Sequence, residues 1–296
     1  MVDGRPIGWG ALSGLVADAS DDNILYAVND SFYKAQPSIF KIDASSLPAK
    51  ITARIPVMRD GKPAKKLDLE GITTDGNSGF WLASEGRTDK GIPHGLYRTD
   101  AKGNIVETVA FPSELMAVEK RYGAEGITRV GDNLWIAIQR SWKDDPENTV
   151  KLVQYNTKTG DWKAVRYPTD AATKGWVGLS EITTYDGALY LIERDNQIGE
   201  AAKVKQLTRV LLSDISPASL GGALPLVKKE VVYDFIPDLQ AQGGYVTDKI
   251  EGFAITKDGR AFAVTDNDGV DDSSGETFFF ALKQDGKPLD FATLRP

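Results

Sequence analysis

Leu69-Glu-Gly-Ile-Thr73, a turn at Asp75-Gly-Asn-Ser-Gly79 and the aromatic-led run Phe80-Trp-Leu-Ala83 make one unit that returns along the whole chain. Its first piece recurs as Leu12-Ser-Gly-Leu15, Ala124-Glu-Gly-Ile-Thr128, Leu179-Ser-Glu-Ile-Thr183 and Ile250-Glu-Gly-Phe253. Aligned on residues 14, 71, 126, 181 and 252, the copies are 57, 55, 55 and 71 residues apart by subtraction. Each copy continues alike. A turn rich in Gly, Asn and Asp follows, as at Gly131-Asp-Asn133, Asp186-Gly187 and Asp258-Gly259, residues that tolerate positive φ. Then comes an apolar run: Leu25–Val28, Leu134–Ala137, Leu189–Ile192 or Ala261–Val264. Near-continuous apolar runs of this length read as strands buried on both faces.

Third strands are expected at Ser38–Asp43, Gly95–Arg98, Lys151–Tyr155, Gln206–Val210 and Phe278–Leu282, and fourth strands at Ile105–Val109 and Lys229–Tyr233. Four strands per repeat is the propeller signature. The expectation is an all-β chain: one β-propeller domain over residues 1–296, of five or six blades with four antiparallel strands each. The long fourth step leaves room for a degenerate sixth blade. A β-sandwich would alternate apolar and polar residues more regularly, and solenoid repeats are shorter. A short helix is expected between Ser113 and Arg121.

Composition limits the function. The net charge is −7 with no Lys/Arg stripe, which argues against a nucleic-acid partner. No apolar run reaches 18 residues, so no membrane span is expected. Cysteine is absent and His94 is the only histidine, which excludes thiolate sites and multi-histidine metal sites. His94 lies between Pro93 and Gly95 in a loop, where it reads as exposed rather than catalytic. No Gly-x-Ser-x-Gly elbow is present, so a serine hydrolase is not expected.

In a propeller, aligned residues of successive repeats form rings around the channel. One ring is Ser13, Glu70, Glu125, Ser180 with Glu181 beside it, and Glu251; a second, four residues beyond each strand's aromatic, is Asp30, Glu85, Gln139, Arg194 and Asp266. Antiparallel pairing brings both to one mouth. Converging carboxylates repel unless a cation neutralises them, and calcium takes six to eight oxygen ligands. Arg140, Arg194 and Lys249 could pair with them instead, and a Glu before Gly could simply bond to backbone amides. The run Asp266-Asn-Asp-Gly-Val-Asp-Asp272 with Glu276 has a calcium loop's oxygen density but not EF-hand spacing; it reads as a solvated acidic loop.

Asp68-Leu-Glu-Gly-Ile-Thr73, Phe80-Trp-Leu-Ala-Ser-Glu-Gly86, Trp176-Val-Gly-Leu-Ser-Glu-Ile182, Leu191-Ile-Glu-Arg-Asp-Asn196 and Ile250-Glu-Gly-Phe253 together resemble the bacterial family named for the esterase-like activity of phytase. The resemblance runs from Leu12 to about Leu282. It implies a propeller, often in exported proteins of the periplasm or secreted, with phosphoesterase-type chemistry suspected at Glu70, Glu85, Glu125, Glu181, Glu193 and Glu251. Ser13 and Gln139 stand where a carboxylate would complete each ring.

The expected activity is therefore a metal-dependent hydrolase acting on phosphoric esters. A divalent cation, calcium by preference, is expected on Glu70, Glu125, Glu251, Asp266, Glu85 and Asp30. Arg140 and Arg194 would hold anionic oxygens, and Glu193 or Glu181 would serve as base. Arg87, Lys249 and Trp176 would bind the substrate, a small anionic molecule or phosphoester. The chain is expected to act as a monomer. The rival readings are a lactonase with the same metal and a propeller that only binds a ligand or a protein.

Overall fold

The repeat builds five antiparallel sheets that close into a ring, a five-bladed propeller. The structure is a computed structural model and describes residues 8–31, 36–241, 243–267, 276–284 and 287–291. Blade 1 runs outward from the channel through Leu12–Ala17, Ile24–Asn29, Ser38–Asp43 and Lys50–Pro56. Blade 2 uses Leu69–Thr74, Phe80–Ser84, Gly95–Thr99 and Ile105–Ala110. Blade 3 uses Ala124–Val130, Asn133–Ile138, Thr149–Asn156 and Trp162–Pro168, and blade 4 Val177–Tyr185, Ala188–Asp195, Lys205–Leu211 and Glu230–Asp234. Blade 5 has Ile250–Ile255, Ala261–Thr265 and Phe279–Ala281 among the described residues. Each inner strand packs on the inner strands of the blades on either side, with the fifth against the first.

The long fourth step is not a sixth blade. Its extra residues turn back so that Ala218–Ser219 pairs with Lys163 and Ala164, adding a fifth strand to blade 3. They return to the outer strand of blade 4 and then form a helix at Ile236–Ala241. The short helix expected between Ser113 and Arg121 is a single turn, Ser113–Met116.

Five apolar clusters occupy the five blade boundaries, which explains why the second strands read as unbroken apolar runs. Phe80 and Leu82 face blade 1, where they meet Val28 and Ile39. Trp81 and Ala83 face blade 3, where they meet Ile127 and Leu134. Both faces of one strand are therefore core, the two-sided burial that removes the usual alternation.

The glycine of the repeat has a packing reason. A Cβ on Gly71 would lie 2.6 Å from the Glu125 carbonyl oxygen and 2.8 Å from the Ile127 nitrogen; on Gly14 it would lie 2.7 Å from the Glu70 carbonyl oxygen. Neighbouring inner strands touch backbone to backbone there, and only glycine leaves the room. Blade 4 carries Glu181 in this slot. Its carboxylate reaches across the axis, accepting from Leu15 N at 2.8 Å and from Ile182 N at 2.9 Å.

Candidate active site at the channel mouth

Every inner strand slips register at the position before or at the conserved-looking glycine slot: between Ser13 and Leu15, Leu69 and Gly71, Ala124 and Ile127, Leu179 and Glu181, and Ile250 and Gly252. A bulge re-aims the extra residue's side chain, and here that residue is Glu70, Ser180 or Glu251, with Glu125 and Gly126 sharing the wider slip of blade 3. The hairpin partner strand ends opposite, since Leu69 faces Ser84 and Ile250 faces Thr265. The next residue on that strand is Glu85 or Asp266. The two rings therefore meet at one end of the channel, as in Gln139 Nε2 donating to Glu125 Oε1 at 2.6 Å and Arg194 Nε to Ser180 Oγ at 2.7 Å.

A cavity of about 330 Å³ occupies this mouth, and its walls divide by charge. On one side stand Asp30, Asp68, Glu70, Glu85 and Glu125. Carboxylate oxygens of Asp68, Glu70 and Glu85 all lie within 4.8 Å of one another, and none of the three forms a salt bridge among the described residues. Burial, with Glu125, Asp68 and Asp30 close by, holds Glu70 well above the usual carboxylate range. Glu125 is raised likewise, by burial and then by Glu85 and Glu251. Burial and the charge of Asp68 push Glu85 up to about 7, although it accepts the Gly123 N–H at 2.8 Å.

The opposite wall is cationic. Arg194, 2% exposed, donates to Glu251 Oε1 at 2.6 Å and to Asp248 Oδ1 at 3.1 Å. Burial alone would raise Glu251, but Lys249 and Arg194, with a hydrogen bond from Ser13 Oγ, bring it below the ordinary value. Arg140 is different. Its guanidinium lies 4.2 Å from the Tyr122 ring centroid and 4.7 Å from that of Trp176, and it has no carboxylate partner among the described residues. Two aromatic faces hold this cation where a ligand could reach it.

Of the residues expected at the site, Asp30, Glu70, Glu85, Glu125, Arg140, Trp176, Arg194, Lys249 and Glu251 line the cavity. Asp266 does not line it but holds Lys249, with Oδ2 3.1 Å from Nζ. Glu193 points elsewhere, as strand alternation requires of the neighbour of Arg194. It lies between blades 3 and 4, accepting from Tyr167 Oη at 2.5 Å and Lys229 Nζ at 2.7 Å. Glu181 is bound to backbone amides on the axis, and Arg87 sits in a rim loop beside Asp89 at 3.4 Å. Those three are not brought into the cavity. The acidic run after Asn267 falls at residues 268–275, outside the described residues. His94, expected to be exposed, is 2% exposed. Its Nδ1 accepts the Gly86 N–H at 3.0 Å and its Nε2 faces Glu119 at 3.3 Å, which ties together the loops that carry Glu85 and Tyr122.

Asp68, Arg121, Tyr122 and Asp248 also line the cavity, with Ser31 and Asn196, and were not picked out as site residues in the sequence. Asp68 had a readable signal. It stands three residues before Gly71, in register with Lys249 three before Gly252, so the repeat defines a third ring that was available to alignment. Gln139 adds another clue: its Oε1 is buried and has no hydrogen-bond partner, an orphaned amide oxygen at the site.

The chain matches the phytase-like family described as esterase-like activity of phytase over residues 7–269, and it belongs to that family. No curated protein matches it. Among solved structures it is similar to a protein from Bacteroides thetaiotaomicron described as a candidate glycosidase, at 10% identity and TM-score 0.52, covering 92% of this chain and 86% of that one. It also resembles a gluconolactonase from Xanthomonas campestris, at 13% identity and TM-score 0.48, over 95% and 75% of the two chains. At such identities the likeness concerns the fold alone. Among the described residues no helix is long and apolar enough to cross a membrane.

Proposed function

We propose that the protein is a hydrolase of phosphoric esters whose site, at the propeller mouth, works with a divalent cation, calcium by preference. The observation that carries this reading is the cluster of Asp68, Glu70 and Glu85 lining one small cavity with the guanidinium of Arg140, none of the four in a salt bridge among the described residues. Membership of the phytase-like family supports the reaction class.

The donor set suits a hard cation. It is all oxygen, it includes the orphaned Gln139 Oε1, and Glu70 and Glu85 are raised by burial and then by neighbouring carboxylates, a repulsion that a cation would relieve. Asp68, Glu70 and Glu85 would hold the ion, with Asp30 and Glu125 beside them. A bound ion there supplies charge that polarises an ester oxygen and lowers the pKa of water. The chain's own residues supply the rest. Arg140 receives a non-bridging oxygen, and Arg194 fixes Glu251 and Asp248 so that the cationic wall keeps its place. Glu125, raised by burial and then by Glu85 and Glu251, is the carboxyl suited to give a proton to the leaving oxygen, and because its Oε1 accepts from Gln139 it is Oε2 that is left for this role. Glu181 and Glu193, bonded within the scaffold, are assigned no step. From the family's usual setting we also propose that the chain acts as a monomer in the periplasm or outside the cell.

The test is to titrate calcium into metal-stripped protein by calorimetry and melting, then assay phosphomonoesters, phosphodiesters and lactones with and without it. Calcium-dependent turnover of a phosphoester, lost in Glu85→Gln and Arg140→Ala, is expected. Turnover of lactones alone would move the protein to another hydrolase class. No calcium shift and no turnover would leave a propeller that only binds.

A further inference from the structure

A second space opens beside the axial cavity, a groove of about 660 Å³ between the loops at residues 140–148 and 169–177. The two spaces share a wall of two side chains, Arg140 and Trp176. Guanidinium and indole lie 4.7 Å apart there, and Tyr122 supports Arg140 on its other side at 4.2 Å. A cation fixed between two rings, with no carboxylate partner among the described residues, therefore borders both spaces.

The groove differs from the cavity in its uncommitted charge. Asp145 is taken up by Lys151 at 2.7 Å and Arg166 at 3.4 Å, and Asp170 by Lys229 at 2.6 Å. Lys120 and Lys143 line the groove, are exposed and have no ion-pair partner among the described residues. Against them stands one uncommitted carboxylate, Glu147. The wall of Arg140 and Trp176 thus separates an acidic space from a basic one. A monoester seated on Arg140 would fill the axial side and leave the basic groove unused.

We infer that the groove is a subsite for the second arm of a phosphodiester, and that this arm carries a negative charge. The inference rests on the phosphoester reading above and names its substrate class. Hydrolysis joins a water oxygen to phosphorus and breaks the bond to the leaving arm. The leaving arm departs with the bonding electron pair and takes its proton from Glu125, the water's proton passes by way of solvent to restore Glu125, and the arm in the groove stays on phosphorus as a monoester.

The probes are two 4-nitrophenyl phosphodiesters that differ only in the end of the second arm, a carboxylate in one and its methyl ester in the other. Wild-type protein should favour the carboxylate by about fivefold in kcat/KM, the scale of two exposed ion pairs, with the preference shrinking as salt is raised. The double variant Lys120→Gln/Lys143→Gln should turn over the two diesters equally. Equal kcat/KM in the wild type, or a preference that survives in the double variant, overturns the subsite. Turnover of phosphomonoesters with neither diester hydrolysed also overturns the subsite, and should no phosphoester of either kind be hydrolysed, the phosphoester reading falls. The groove is then judged by calorimetry with the same two compounds: tighter binding of the carboxylate that the double variant abolishes supports it, and equal binding overturns it.

Discussion

Replacing Gly71 by alanine tests the contact on which the ring depends. The new Cβ would sit 2.6 Å from the Glu125 carbonyl oxygen, 2.8 Å from Ile127 N and 2.9 Å from Gly126 C, where ordinary contact begins at 3.4 Å. By subtraction the inner strands of blades 2 and 3 must part by about 0.8 Å, and both sides of the clash are backbone, which cannot rotate away. Overpacking costs about 1–3 kcal/mol, and rigid backbone puts this case near the top of that range. Alanine restricts the unfolded chain and recovers roughly 0.4–1 kcal/mol. The net loss is about 2 kcal/mol, a fall of roughly 3 °C in melting temperature for a chain of this size. Gly222→Ala is the control, since nothing lies closer to its Cβ than 3.9 Å. Thermal melts of both variants with and without calcium are the assay. Because Gly71 separates Glu70 from the bulge that carries Glu125, the calcium-induced rise in melting temperature should also shrink. A Gly71→Ala protein that melts with Gly222→Ala and keeps the full calcium response would refute the backbone contact and the site geometry built on it.

Glu85 makes stability depend on pH in a stated direction. Held at about 7 by burial and by Asp68, it keeps a proton in the folded state that the unfolded chain releases at its lower pKa. Its contribution is full at acid pH and is lost as pH rises through about 7. Melting temperature in a chelator should therefore fall from about pH 5 to 8, and calcium, which needs the ionised carboxylate, should flatten that fall and bind more tightly as pH rises. Loss of the Glu181 carboxylate leaves the buried Leu15 and Ile182 amides without acceptors, at roughly 1–3 kcal/mol each. Glu181→Ala should lose about 2–6 kcal/mol in urea unfolding, and Glu181→Gln, whose one amide oxygen can replace only one of the two carboxylate oxygens that accept these N–H groups, about half as much; equal stability of all three proteins would show that the axial bonds do not form.

The ring architecture was legible because blade packing writes itself into the sequence. Strands covered on both faces must be apolar throughout, as at Phe80-Trp-Leu-Ala83, and strands that touch at the axis must keep glycine, as at Gly71 and Gly126. The two rings followed from the same alignment. What alignment could not supply was direction. Glu193 and Arg194 are neighbours with equal claims in the sequence, yet one points between blades and the other into the mouth, because side chains alternate along a strand. Glu181 looked like a ring carboxylate but stands in a glycine slot, where its oxygens satisfy backbone amides. His94 looked exposed in its loop and is instead the ring around which two loops are fixed.

By itself, the sequence determined that this is a five-fold repeat of antiparallel strands with acidic side chains returning at one level, because repeated burial imposes repeated residues. It left open five blades or six, since a strand insertion and a degenerate blade lengthen a chain equally. Only the tertiary structure decided which carboxylates remain uncompensated. Arg194 comes from the neighbouring blade to neutralise Glu251, and Lys249 meets Asp266 across its own hairpin, while Asp68, Glu70 and Glu85 form no salt bridge among the described residues. Charge balance at a point in space depends on which residues the closed ring brings within a few ångströms, and spacing along the chain does not carry that information.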